Sequence, residues 1–139
     1  MKKVILFLLS VLAINFGILS TASADRWQWI YSDDKDSYYF DTQTIKRERG
    51  YQTYNLINMW VEDRSAYPKN DGTKYQKVNF TFDKNAYDYK ISYLIKYDEN
   101  YKTIYSKENR NIRWVKIPPE SLAELFLVAG DKYLSDRGY

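Results

Sequence analysis

Few residues of this chain could do chemistry, because its 139 residues include no histidine and no cysteine. A Ser-His-Asp site, a Cys-His site, a typical zinc site and an iron–sulfur cluster are therefore excluded. Carboxylates, lysines and oxygen ligands for hard metal ions are what remains. We accordingly expect no cofactor, and an enzyme is the least favoured of the functional hypotheses.

The densest run of carboxylates is Asp33-Asp34-Lys35-Asp36, which can be compared with a calcium-binding loop. Such a loop carries Asp at alternate positions, Gly at the sixth position and Glu at the twelfth. Counted from Asp33, the sixth residue is Tyr38 and the twelfth is Thr44. Short polar side chains in a run of this kind bond to the nearby backbone. The sequence therefore predicts a solvated turn and no metal site.

Two smaller groups of charged residues also have structural explanations. Glu120 and Glu124 would share one side of a helix, but no neighbouring carboxylate completes a glycosidase-like pair. Lys46, Arg47 and Arg49 crowd one turn, where an acidic neighbour offsets part of their charge. A solvated loop is the default for such a run. The sequence thus identifies no catalytic, cofactor or metal residue, and the binding residues stay unknown.

The four tryptophans, Trp27, Trp29, Trp60 and Trp114, could line a sugar-binding platform. Each of them lies in a segment that is predicted to be a strand. Large aromatic side chains in strands are more often core residues than exposed ones. We therefore predict that the tryptophans belong to the core, with the platform as the alternative.

A stripe of tyrosines at four-residue spacing includes Tyr89, Tyr93 and Tyr97. This spacing fits a helix face, but it also fits one face of a strand. Ile91 and Ile95 fill the positions between them, so the apolar period is two and predicts a half-buried strand. All five side chains should then pack on one helix, unless the stripe is a binding surface. The expected helix contacts are Leu122, Leu125 and Phe126, and the residues expected to face water are Lys90, Ser92 and Lys96.

Other alternating segments predict the remaining strands, and one segment near the C-terminus predicts a helix. Ser121 followed by Glu124 forms a capping box, and an amphipathic helix of about three turns follows it. Its apolar stripe is Leu122, Leu125, Phe126, Ala129 and Tyr133. The fold class is therefore α+β: an antiparallel sheet of five or six strands with one C-terminal amphipathic helix packed on it. The predicted strands are 27–31, 37–41, 52–62, 87–97, 102–106 and 113–117. The segment 75–82 is ambiguous, because its alternation favours a strand only weakly.

The N-terminus carries the features of a secretory signal peptide. A short basic start precedes the apolar run Val4 to Leu19, and Ala22-Ser23-Ala24 has the small-x-small pattern of a cleavage site. We expect residues 1–24 to be removed and residues 25–139 to form a single α+β domain with a frayed tail at 135–139. No later stretch is apolar enough to span a bilayer.

The charge of the predicted exported part is almost balanced. Lys2 and Lys3 lie in the signal segment, so 19 of the 21 basic residues oppose 18 acidic ones. Nucleic-acid binding needs a clear local excess of positive charge, so we expect no nucleic-acid partner. The lack of cysteine excludes disulfides, and packing must stabilise the domain.

Five motifs spread over nearly the whole exported part carry a family resemblance. They are W-x-W-I at 27–30, S-D-D-x-x-S-Y-Y-F-D-T at 32–42, M-W-V-E at 59–62, Y-D-x-N-x-K at 97–102 and W-V-K-I-P-P-x-S-x-x-E at 114–124. In this order they resemble the small exported proteins of the bacterial surface-adhesin protein E family. The resemblance implies an antiparallel sheet with a C-terminal helix, and adhesion to host matrix proteins. It also implies glycine in two turns where this chain has Tyr101 and Glu120.

Two functional hypotheses follow from these patterns. The favoured one is an exported, non-catalytic protein that binds macromolecules of the host matrix or the cell envelope, as a surface adhesin does. The alternative is a periplasmic ligand-binding or inhibitor module with a pocket between sheet and helix. Either protein would work outside the cytoplasm, in the periplasm, at the cell surface or in the medium.

Overall fold

The computed structural model describes residues 26–51 and 53–139. The predicted signal peptide at 1–24 and its cleavage after Ala24 lie outside these residues and stay predictions. No helix within the described ranges is long and apolar enough to cross a membrane.

Within the same ranges, eight antiparallel strands form one sheet. Their bounds are β1 (Trp27–Ser32), β2 (Asp36–Asp41), β3 (Lys46–Glu48), β4 (Leu56–Ser65), β5 (Tyr75–Asp83), β6 (Asp88–Tyr97), β7 (Thr103–Glu108) and β8 (Val115–Lys116). Antiparallel neighbours need only a tight connection, so most strands that are adjacent in sequence are also paired in the sheet. The exceptions are β2 with β3 and β7 with β8. Six strands follow the order β1-β2-β4-β5-β6-β7 across the sheet, while the short strands β3 and β8 pair with β4 and β6.

The helix α1 (Leu122–Asp136) packs on one side of this sheet, and the predicted α+β class is confirmed. Gly130 lets the helix approach β4 closely, because a Cβ at that position would lie only 3.0 Å from the sulfur of Met59. We call the side of the sheet beneath α1 the covered face and the other side the open face. The core between sheet and helix consists of Phe40, Ile45, Ile57, Met59, Val61, Phe80, Phe82, Ile117, Phe126, Leu127 and Leu134.

The predicted apolar stripe of the helix is correct for Phe126, Ala129 and Tyr133, which pack on the core, and wrong for its first two residues. Leu122 and Leu125 were expected to be core residues, but they are 37% and 41% exposed. Two apolar stripes with helical spacing run along this helix, and the stripe that includes Gly130 is the one that fits against β4. Its buried members are Phe126, Leu127, Gly130 and Leu134.

One of the two hydrogen bonds of the predicted capping box is formed at the start of α1. Ser121 is the N-cap, and its side-chain oxygen accepts a hydrogen bond from the backbone N–H of Glu124 at 3.3 Å. The Glu124 carboxylate accepts the hydroxyl of Tyr87 at 2.6 Å, so it bonds to the chain before β6 and not back to the cap. The helix is therefore tied to the sheet at its first turn.

The tyrosine stripe is divided between the two faces, which corrects the prediction of one packed face. Tyr89 and Ile91 stand opposite the core residues Phe82 and Phe80. A bulge follows, because Tyr93 is already paired with Asn79 and leaves one residue of β6 unpaired. An extra residue reverses the alternation of side chains beyond it. Tyr93, Ile95 and Tyr97 therefore lie on the open face.

A second bulge has the same consequence at the edge strand β1. Trp29 pairs with Tyr39, whereas Tyr31 pairs with Tyr38. Trp29 consequently faces the open side, while Tyr31 stacks on Tyr38 at 6.4 Å between ring centroids. Regular alternation along this strand would place Tyr31 on the same side as Trp29, and the bulge is the reason that it does not.

Candidate functional site

The open face carries polar and aromatic side chains, in contrast to the apolar core. Residues directly opposite each other on paired strands point to the same side, so the pairings of β1, β2, β4, β5 and β6 identify its members. They include Trp27, Trp29, Tyr39, Asp41, Asn58, Trp60, Glu62, Arg64, Tyr75, Lys77, Asn79, Thr81, Lys90, Tyr93, Ile95 and Tyr97.

All four tryptophans lie on this face, and the prediction that they are core residues is wrong. Trp27 and Trp60 are half-buried, while Trp29 and Trp114 are 56% and 41% exposed. Trp114 is placed by the ammonium group of Lys90, which lies 4.8 Å from its ring centroid on the open side of β6. A strand assignment does not say which way a side chain points, and this is why the sequence misplaced them.

A buried carboxylate lies at the centre of the open face. Glu62 is only 1% exposed, and its Oε1 atom accepts Arg64 Nε at 2.6 Å and the Tyr101 hydroxyl at 2.9 Å. Lys77 Nζ lies 3.8 Å from the other oxygen, Oε2. A buried carboxylate is stable only when it is paired and hydrogen-bonded, so this group fixes three side chains around itself.

Tyr101 reaches Glu62 from a strained turn. Its φ is +59°, a region that costs a residue with a side chain about 1 kcal/mol or more. The ring stacks on Tyr75 at 3.9 Å between centroids, and burial, followed by the charge of Glu62, raises the pKa of its hydroxyl. Glu120, the other position where the resemblance implies glycine, also has a positive φ, of +58°.

A groove of about 240 Å³ opens on this face beside Glu62. Its polar wall contains Asp41, which accepts two hydrogen bonds from Arg26 at 3.1 and 3.0 Å and two more from Gln43 N–H and the Thr44 hydroxyl. Burial alone would raise the pKa of Asp41, but these bonds outweigh it and hold the pKa below its usual range. The lining residues are Arg26, Trp27, Asp41, Thr44, Trp60, Lys77, Ile95 and Tyr97.

A larger groove of about 690 Å³ lies at the C-terminal end of α1. It runs between the helix end and the connection from β2 to β3, and the core residues Ile45 and Leu134 form part of its wall. Its lining residues are Thr42, Gln43, Ile45, Lys46, Arg47, Tyr54, Tyr133, Leu134, Arg137 and Tyr139.

The charged groups considered in the sequence do not assemble into a site. Asp33 forms the predicted turn, since its side chain accepts the N–H groups of Lys35 and Asp36 at 2.8 and 2.7 Å. Arg47 was expected in a solvated loop, but it lies in β3 and donates to Asp131 of α1 at 2.9 Å. Among the described residues, no group of three acidic side chains could hold a metal ion.

The motifs that carry the family resemblance meet on the open face. Trp27 comes from the first motif, Asp41 from the second, Trp60 and Glu62 from the third, and Tyr97 from the fourth. These residues are far apart in sequence, and only the pairing of the strands brings them together. The motifs therefore specify one surface as well as the fold.

A comparison with protein-family models matches residues 27–129 to surface-adhesin protein E. The chain belongs to this family. No curated protein and no solved structure matched the chain. Membership in the surface-adhesin family indicates an exported cell-surface protein that binds external macromolecules, and it favours a binder over an enzyme.

Proposed function

We propose that this family member is a non-catalytic surface adhesin whose open face contacts a macromolecule of the host matrix or of the cell envelope. The observation that carries the proposal is the gathering of all four tryptophans on one exposed sheet face. Tryptophan, tyrosine and arginine dominate the binding energy of protein interfaces. The open face presents these three residue types side by side, and Glu62 holds Arg64 and Tyr101 in fixed positions.

Rigid anchors favour binding, because side chains that are already ordered lose less entropy when a partner arrives. Arg64 illustrates this, since its guanidinium carbon lies 4.0 Å from the ring centroid of Tyr39 while its Nε atom bonds Glu62. Trp60 is likewise braced by Tyr93 at 6.0 Å between ring centroids. The open face therefore combines exposed aromatic surface with side chains that would lose little conformational entropy on binding.

The test is the capture of the purified protein on immobilised basement-membrane extract and on cell-envelope fractions. We expect the double substitution Trp29→Ala and Trp114→Ala to weaken capture more than about tenfold, as the loss of interface anchors does. The matched control removes Leu125 and Val128, which are equally exposed apolar side chains on the outer side of α1. Unchanged capture by the tryptophan variant, or loss with the helix variant, would refute the open face as the adhesive surface.

The groove at the end of α1 supports a second candidate, a periplasmic ligand-binding module. Its volume of about 690 Å³ is within the range of about 300–1,000 Å³ that is typical of small-molecule sites. Ile45 and Leu134 would contact an apolar body, while Arg137 offers a charged group at the rim. Saturable binding of the apolar dye ANS, displaced by an envelope lipid extract and weakened by Tyr54→Ala, which changes an exposed lining residue, would support it. Absence of dye binding would remove it.

A further inference from the structure

The small groove on the open face offers hydrogen-bond donors but no free carboxylate. A carboxylate has about four acceptor positions, and the four hydrogen bonds to Asp41 occupy them. Glu62 is not among the residues that line the groove and is only 1% exposed, so a ligand does not reach its carboxylate. A ligand group that donates hydrogen bonds would therefore find no partner among the carboxylates here.

The donors, in contrast, have unused capacity. Lys77 Nζ lies 3.8 Å from Glu62, which is beyond hydrogen-bond length, so the ammonium group keeps its protons for another acceptor. It sits between two aromatic rings, 5.1 Å from the centroid of Trp27 and 5.3 Å from that of Tyr97. An ammonium group held between rings is partly shielded from water, and this strengthens its attraction for an anion.

The dimensions of the groove restrict the ligand further. Its volume of about 240 Å³ is below the range of about 300–1,000 Å³ for drug-sized ligands, so it admits one ring-sized group. Trp27, Trp60 and Tyr97 supply flat apolar walls. A sugar ring has an apolar C–H side that packs on an aromatic wall and a polar edge that accepts hydrogen bonds.

We propose that this groove binds a single acidic sugar residue of a glycan chain, with Trp27 and Trp60 against the ring and Lys77 on its carboxylate. The proposal deepens the adhesive role proposed above and rests on it, because it names the chemistry that the open face recognises. A carboxylate on a protein partner would satisfy Lys77 but would leave the aromatic walls unused. Acidic sugars use both features.

The test is a calorimetric titration of the protein, purified as the cell processes it, with a hyaluronan tetrasaccharide. This probe alternates glucuronic acid and N-acetylglucosamine, and chitotetraose is its neutral counterpart. We expect saturable binding of the acidic probe and binding of the neutral one that is weaker by about tenfold or more, because the neutral sugar cannot form a charged hydrogen bond with Lys77. Equal binding of the two probes, or no saturable binding of the acidic one, overturns the proposal.

Matched variants locate the site. Lys77→Gln should weaken binding of the acidic probe about tenfold, whereas Lys77→Arg should retain it and Lys132→Gln, which removes an acid-paired lysine on α1, should leave it unchanged. Trp27→Leu should also weaken binding, but Tyr31→Leu, in the same strand and on the covered side, should not. A tetrasaccharide that binds equally well to Lys77→Gln sits elsewhere, and the proposal is then wrong.

Two parallel readouts separate this proposal from the adhesive function. If a tyrosine-sulfated peptide binds at Lys77 and the sugar does not, the groove belongs to a protein partner and the sugar assignment fails. If matrix capture still depends on Trp29 and Trp114 while no sugar binds, the sugar assignment fails alone. If capture does not depend on these tryptophans, the adhesive function of the open face fails whatever the sugar does.

Discussion

The two faces of the sheet carry different aromatic residues. The phenylalanines of the described residues, Phe40, Phe80, Phe82 and Phe126, are all in the core, while the tryptophans are all on the open face. Phenylalanine has no polar atom, whereas tryptophan keeps an N–H group that can stay hydrated or bind a partner. The aromatic residues of the covered face thus stabilise the fold. Those of the open face can be hydrated in the free protein and can contact a partner.

Two adjacent carboxylates of β4 show the same difference in electrostatics. Glu62 faces the open side, where cations and a hydroxyl group compensate its charge. Asp63 faces the covered side, where burial first and Asp36 second raise its pKa to about 7. The surroundings of Glu62 on the open face thus compensate a carboxylate charge, while the surroundings of Asp63 on the covered face favour the protonated carboxyl group.

The largest expected effect is on the covered face. Phe82 is fully buried, so Phe82→Ala should lower the free energy of unfolding by about 3–5 kcal/mol through lost burial and the cavity left behind. Urea unfolding measures this. Trp29→Ala removes a larger ring from an exposed position and should change stability by less than about 1 kcal/mol. Comparable losses of unfolding free energy for the two variants would contradict the assignment of the stabilising core to the covered face.

The next effect concerns the carboxylate at the centre of the open face. Glu62→Gln should lower the free energy of unfolding by about 2 kcal/mol, because Arg64 and Lys77 lose their shared anion. Tyr101→Phe should cost about 1 kcal/mol for the lost hydrogen bond. Glu99→Gln, in the exposed turn, serves as the control and should be neutral. A neutral Glu62→Gln would mean that the open face is not organised around this residue.

The third effect is a pH dependence on the covered side. The pKa of Asp63 is raised to about 7 in the folded protein, and an unfolded Asp titrates near 3.9. Its contribution to stability is therefore complete below about pH 4 and is lost as the pH rises through about 7. Lys69 lies 3.8 Å from this carboxyl group and stabilises its charged form, which reduces the loss of stability at high pH. We therefore expect the protein to be less stable at pH 8 than at pH 5 by about 1–2 kcal/mol.

Asp63→Asn should remove this pH dependence, since the amide does not ionise. The measurement is clean because the chain has no histidine, so few other groups titrate between pH 5 and pH 8. A wild-type protein that gains stability from pH 5 to pH 8 would contradict the environment assigned to Asp63.

The smallest effect concerns the helix that creates the covered face. Ser121→Ala should destabilise the protein by about 1 kcal/mol, because the N–H of Glu124 loses its cap. Thermal unfolding of Ser121→Ala beside Ser121→Thr, which keeps a capping hydroxyl at the same position, checks this. Equal melting temperatures for wild type and Ser121→Ala would exclude a stabilising cap.

The sequence predicted the elements of this fold better than the faces of its sheet. Two-residue periodicity indicated the strands and the Ser121 cap marked the helix, because both are encoded by neighbouring residues. The side of the sheet to which a side chain points depends on register. The bulge at Ser92 reverses this side for the residues that follow, and no glycine in the sequence indicates the bulge. The composition of the open face could not be predicted from the sequence for the same reason, since Glu62 and Tyr101 are brought together only by folding.

Hydroxyl-radical footprinting read by mass spectrometry, with and without basement-membrane extract, tests the central claim most directly. In the free protein, Trp29 and Trp114 should be oxidised readily, while Phe82 and Phe126 should be protected. Bound extract should protect Trp29 and Trp114 and leave the oxidation of Leu125 and Val128 unchanged. Protection of the two helix residues, with the tryptophans still oxidised, would contradict the open face as the binding surface.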